Sequence, residues 1–175
     1  LRGGWYDAGD YNKYTNWTAN YINQLLHMYI ENKAVWTDDF DIPESGNGIP
    51  DILDEVKWGL DWLSRMQNAD GAMLSVMGLS EGSPPSAATG PSYYGPPNTS
   101  ATLTSAGAFA FAASVMGDIP QFKDQAEIYA GRAKLAWRWA ESNPDVIFKN
   151  NDEVQGSKGL AAGQQEVDDK GRQTK

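Results

Sequence analysis

Residues 50–68 run Pro50-Asp51-Ile52-Leu53-Asp54-Glu55-Val56-Lys57-Trp58-Gly59-Leu60-Asp61-Trp62-Leu63-Ser64-Arg65-Met66-Gln67-Asn68. Leu53, Val56, Leu60 and Leu63 recur at steps of three and four, which makes one apolar stripe, with Ile52 and Trp62 flanking it. That period belongs to an amphipathic α-helix. Pro50 suits the first turn, where its missing N–H is not needed, and Asp51, Asp54 and Glu55 lie near the positive end of the helix dipole. The helix is predicted to stop around Asn68, with Asp70-Gly71 supplying a turn after it. Taken alone this motif reports packing, not catalysis.

The same rhythm extends both ways. Upstream, Asn16 or Thr15 can cap a helix running to about Asn32, on which Trp17, Tyr21, Leu25 and Tyr29 recur every four residues with Ile22 and Leu26 beside them. Downstream, Asn98 or Thr99 caps a third helix to about Met116. Its small residues, Ala101, Ala106, Gly107, Ala108, Ala110, Ala112 and Ala113, permit close helix packing, and Phe109 and Phe111 read as core. Asp118-Ile119-Pro120 opens a fourth helix through Glu141, with Tyr129, Ala133, Ala136, Trp137 and Ala140 on one face, and Asn143-Pro144 ends it. From Leu160 a fifth begins. Residues 72–97 read as one long loop, and loops of that length are usually functional or disordered. No strand pattern recurs, so the fold class is all-α.

With 175 residues, 41% of them apolar and 11% aromatic, the chain has the composition of one globular domain. Lys and Arg number 14 against 23 Asp and Glu, a net charge of −9 that argues against nucleic acid or an anionic membrane surface as partner and suits a neutral polymer. There is no cysteine, which excludes disulfides and thiolate metal sites. No apolar run approaches the length of a membrane span.

Chemistry concentrates in Gly3-Gly4-Trp5-Tyr6-Asp7-Ala8-Gly9-Asp10-Tyr11. Asp7 and Asp10 stand three residues apart between glycines, which allow sharp turns and close backbone approach. Trp5, Tyr6, Tyr11 and Tyr14 offer flat apolar faces on which a sugar ring can stack. The two carboxylates could point into one cleft and share a water. An Asp-Gly turn can also be only a turn, with Asp bonding its own backbone.

The segment GGWYDAGDYNKY, residues 3–14, resembles the signature of glycoside hydrolase family 9, mainly inverting β-1,4-glucanases. A second block, residues 42–55 (IPESGNGIPDILDE), is equally similar to that family and follows at a similar distance. The similarity runs along the whole chain to the tail GLAAGQQEVDD. It implies a six-hairpin (α/α)6 toroid or barrel more than twice this long. The chain would be the N-terminal portion of one catalytic domain, cut at both ends, for it opens on Leu1-Arg2 and closes on a polar tail that reads as the middle of an element. The resemblance also implies secretion, a cellulose or related β-glucan substrate and no required cofactor. Asp10 would be the general base, Asp7 would orient the water, and Trp5, Tyr6, Tyr11, Tyr93 and Tyr94 would bind sugar. The general-acid glutamate lies far downstream in that family, so Glu44, Glu55, Glu141 and Glu166 are not assigned to it, and this chain alone is expected to be inactive. Many family members carry an aromatic and a histidine after the glycine of the long loop. This chain lacks that histidine.

Two rivals accompany this reading. One is a non-catalytic carbohydrate-binding or structural helical fragment. The other is the same scaffold acting on β-linked glucosamine oligomers. The acidic loop at residues 33–50 reads as solvated, and its spacing does not fit an EF-hand, yet a structural calcium stays open. Glu44 and Asn47 are taken as structural neighbours of the site. His27 lies off the main stripe and has no partner for a metal site. Asn16-Trp17-Thr18 and Asn98-Thr99-Ser100 match glycosylation acceptors. An incomplete toroid would expose apolar helix faces through which it could dimerise.

Overall fold

The computed structural model describes residues 2–7, 11–78 and 92–148. Among the described residues four long helices stand out: α1 (Thr15–Glu31), α2 (Asp51–Arg65), α3 (Thr99–Met116) and α4 (Lys123–Ser142). Single 3-10 turns at Lys33–Val35 and Pro120–Phe122 punctuate the connections. α1 packs against α2 and α3, and α3 packs along α4, so successive helix pairs lie side by side, the arrangement expected of hairpins in an (α/α)6 toroid. The fifth helix expected from Leu160 lies outside the described residues.

α2 is the platform. Leu53, Val56, Leu60 and Leu63 are completely buried, and Trp62, read as a flank, is as deep as they are. Pro50 sits at the N-cap, one residue earlier than expected, and the helix ends at Arg65 rather than near Asn68. Met66 N–H still bonds to the carbonyls of Trp62 and Leu63, after which the chain turns back through Gly71, whose φ is +101°. A Cβ there would press into the backbone of Leu135, so this turn seats directly on α4.

On α1 the buried ridge is Ala19, Ile22, Leu26 and Tyr29. Trp17 and Leu25 are half-buried and Tyr21 is exposed, a rotation of the expected stripe. The rings of Trp17 and Tyr21 pack at the margins of the helix instead: Trp17 on Tyr14 at 4.3 Å, Tyr21 edge-on to Trp5 at 5.9 Å. Neither Thr15 nor Asn16 caps the helix. Thr15 Oγ1 donates to Leu74 O (2.5 Å) and Asn16 Nδ2 to Ser100 Oγ (2.8 Å), because the chain enters α1 straight from a strand and both side chains face neighbouring segments.

α3 starts as expected, with Asn98 Oδ1 accepting from Ala101 N–H at 2.7 Å. Phe109 is core, whereas Phe111 is half-buried with His27 against it at 4.6 Å. Ala101, Ala108 and Ala112 make the close contacts, while Gly107 and Ala110 face outward. On α4 the buried line is Ala126, Tyr129, Ala133, Ala136 and Ala140. Trp137, placed on that face by spacing, is 54% exposed and borders an open groove with Leu103, Ala106 and Ala110. The acceptor sites Asn16 and Asn98 are buried and hydrogen-bonded, so neither can carry a glycan in the folded chain.

The fold is helical as expected, and the stretch read as one long loop adds only short strands to it. β1 (Lys13–Tyr14), β2 (Val76–Gly78) and β3 (Tyr93–Tyr94) form an antiparallel sheet in that order, pairing Lys13 with Met77 and Met77 with Tyr94. Two or three residues per strand are too few to display an alternation.

Candidate active site

The glycine-rich loop lies across α2. Gly3 and Gly4 have φ of +88° and +65°, a conformation other residues rarely adopt, and a Cβ on Gly4 would come within 2.9 Å of the Trp62 ring. With that space free, Gly4 N–H bonds to Trp58 O (3.2 Å) and Trp58 Nε1 donates back to Gly4 O (3.0 Å). Arg65 reaches the carbonyl of Arg2, and the Arg2 guanidinium lies 5.5 Å from the centre of the Trp58 ring.

Trp5 is half-buried, and its Nε1 donates to Glu55 Oε1 at 2.6 Å. Its ring fills the space beside Gly59, where an added Cβ would stand 2.5 Å from Cη2. Tyr6 and Tyr11 stay 52% and 42% exposed and form a tilted pair with centroids 5.4 Å apart. Asp7 is half-buried, and its N–H bonds to Asn12 O at 2.9 Å, which closes the loop on itself. Asp10 lies outside the described residues.

Behind the loop stands Lys13, only 3% exposed. Its Nζ donates to Gly3 O (2.7 Å) and lies 4.3 Å from the centre of the Tyr6 ring. Burial, with the Arg65 charge adding to it, holds the ammonium below the usual lysine range. β1 then leads into the sheet whose far strand presents Tyr93 and Tyr94, 39% and 46% exposed. Gly78 in the middle strand admits the Asn12 side chain, which a Cβ would overlap.

The acidic loop is an internal scaffold. Asp38 accepts from the N–H groups of Gly46 (2.7 Å) and Gly48 (2.6 Å), and the buried Asp51 accepts from Phe40 N–H and Ser45 Oγ. Asn47 Nδ2 donates to Asp54 at 3.0 Å. Burial first, then the charges of Glu44, Asp51 and Asp38, push the Asp54 carboxyl up, against the Asn47 hydrogen bond. Glu44, Asp54 and Glu55 line a polar cleft with Arg2 and Arg65 behind the loop. Among the described residues no group of three His, Cys, Asp or Glu could hold a metal ion.

The structure thus brings Trp5, Tyr6, Asp7 and Tyr11 into one loop and sets Tyr93 and Tyr94 on the sheet that continues it. The sequence model of glycosyl hydrolase family 9 matches residues 1–169. The chain belongs to glycosyl hydrolase family 9. It is 32% identical over 169 residues to a cellulose 1,4-β-cellobiosidase of Acetivibrio thermocellus, covering 83% of this chain and 18% of that protein. To a xyloglucan-specific endo-β-1,4-glucanase of Bacteroides ovatus it is 30% identical over 159 residues, covering 85% and 26%. A crystal structure of a metagenome-derived family 9 endoglucanase superimposes with a TM-score of 0.76 at 36% identity, over 89% of this chain and 29% of that one. The family 9 chain therefore spans less than a third of each of these relatives.

Sequence reasoning missed the groups that hold the loop: Lys13, Glu55, Trp58 and Gly59. Only Gly59 left a signal. A glycine inside a helix costs about 1 kcal/mol relative to alanine, so a packing reason for it was to be sought.

Proposed function

We propose that this chain supplies the base side of an inverting glycoside hydrolase acting on β-1,4-glucosidic bonds of cellulose or a related β-glucan. Inversion needs one carboxylate to take a proton from the attacking water and a second carboxyl group, roughly 6.5–9.5 Å away, to protonate the leaving oxygen. Asp10 is the base and Asp7 the partner that holds the same water. An ordinary aspartate is ionised at neutral pH and can serve as base without special tuning. The acid is a glutamate outside this chain. Tyr6, Tyr11, Tyr93 and Tyr94 give the sugar rings their stacking faces, and Trp5 shapes the loop from beneath. The observation that carries this reading is the loop itself: an aspartate beside exposed aromatic rings on a backbone clamped to a buried helix, within a segment matched to family 9.

The chemistry calls on carboxylates and water, with no cofactor. For a structural calcium, Asp38 and Asp51 are the nearest candidates, and both already accept hydrogen bonds from their own loop, so we assign none. Secretion follows from an insoluble polymeric substrate. The deciding experiment is release of reducing ends from carboxymethyl cellulose by this chain, by its full gene product and by that product carrying Asp10→Ala. Cleavage by the full product alone is the expected result. Cleavage by the short chain would place the acid within it, and an intact polymer with the full product would remove the glucanase reading in favour of sugar binding or, if chitosan oligomers are cut, of glucosamine substrates.

A further inference from the structure

We propose that Lys13 is a positioning residue for the carboxylate loop, holding residues 3–7 in the conformation that presents Asp7. The assignment rests on the loop being the catalytic one. Lysine is among the residue types least often fully buried, and this one is 3% exposed in a chain with a net charge of −9, where solvent would be its ordinary place. Its ammonium touches both ends of the run that precedes Asp7. It donates to Gly3 O at 2.7 Å and lies 4.3 Å from the centre of the Tyr6 ring. A desolvated cation over an aromatic face is held more strongly than an exposed one. The residue before it, Asn12, receives Asp7 N–H on its carbonyl, and Lys13 itself is pinned by pairing with Met77. One strand end therefore fastens the run at Gly3, at Tyr6 and at Asp7 itself.

Stability alone does not call for a charge at this point. Burying an ammonium carries a desolvation cost that an apolar chain of the same length avoids, and methionine would fill the space without it. What methionine cannot do is donate to a carbonyl and hold a ring face by charge.

The test is amide hydrogen exchange of the full 175-residue chain by NMR, with α3 amides as internal control. Lys13→Met is expected to leave α3 protection unchanged and to speed exchange of the Asp7 amide by about tenfold or more, the signature of local opening rather than global unfolding. Lys13→Arg, which keeps the charge, is expected to recover part of that protection. Equal Asp7 protection in wild type and Lys13→Met overturns the proposal, as does an arginine variant no better than methionine. Should Lys13→Met not fold, Tyr6→Leu removes the ring and leaves the lysine: faster Asp7 exchange supports the role and unchanged exchange overturns it. No sugar is needed, so a failure on carboxymethyl cellulose would overturn the glucanase reading and leave the exchange result standing.

Discussion

Gly59 and Trp5 share a space that admits only one side chain: a Cβ on Gly59 would stand 2.5 Å from Cη2 of the indole. The ring cannot swing away freely, because Glu55 holds its nitrogen at 2.6 Å. Gly59→Ala should therefore destabilise, even though alanine is the better helix former by about 1 kcal/mol. Overpacking costs roughly 1–3 kcal/mol and outweighs that gain. The checks are a lowered Tm and a shifted tryptophan emission, and a raised Tm would show that the loop yields without penalty.

Glu55 gives a paired test of the same clamp. Glu55→Ala leaves the indole N–H without its acceptor and should cost about 1–3 kcal/mol, since the pair is partly buried and charge-assisted. Glu55→Gln keeps an amide oxygen at the same reach and should recover most of the loss. Thermal melts of the two variants side by side decide it: equal losses would mean that the contact stabilises nothing.

The Asp38 turn should loosen only in strong acid. The N–H of Gly48, joined by those of Gly46 and Asn47, holds this carboxylate below the ordinary 3.8, against the upward push of desolvation. A folded value below the unfolded one means the turn's contribution is complete above pH 3.8 and is lost as pH falls through the folded value. Asp54 acts in the opposite sense: its value is raised, so its contribution declines as pH climbs from 3.8 through the folded value. Amide shifts of Gly46 and Gly48, followed from neutral pH downward, should move with a midpoint under 3.8. A midpoint at or above that value would contradict the assignment.

At the start of α3, Asn98→Ala removes the acceptor for Ala101 N–H in a site that is 1% exposed. The expected loss is about 1–2 kcal/mol, at the upper end for a helix cap because no water replaces the lost acceptor. Asn98→Asp keeps an oxygen in place and should cost less. Urea denaturation distinguishes the two, and an alanine variant as stable as wild type would show that the cap is dispensable.

How far the fold could be read from the chain depended on the kind of contact. α2 was legible because its stripe, Leu53 to Leu63, is aliphatic and meets one core. α1 was misread by a fraction of a turn because Trp17 and Tyr21 count as apolar in a pattern but settle at the margin in space. The strands were invisible at two or three residues each. Asp7 and the aromatic residues around it could be named from a local motif. Lys13, Glu55 and Trp58 could not, because their roles consist of pairings such as Trp5 with Glu55, 50 positions apart, that leave no local period.

The two hydrogen bonds between Gly4 and Trp58 join positions 54 apart. Synthesis proceeds at about 5–20 residues per second, so the glycine loop is made several seconds before the helix that seats it. Closing so long a segment also carries an entropy that only a formed α2 can offset. The loop therefore waits unstructured while the first helices find each other. Residues 3–7 reach their place on α2 only when that docking is done, so a nascent or misassembled chain would carry the motif without the conformation that seats it.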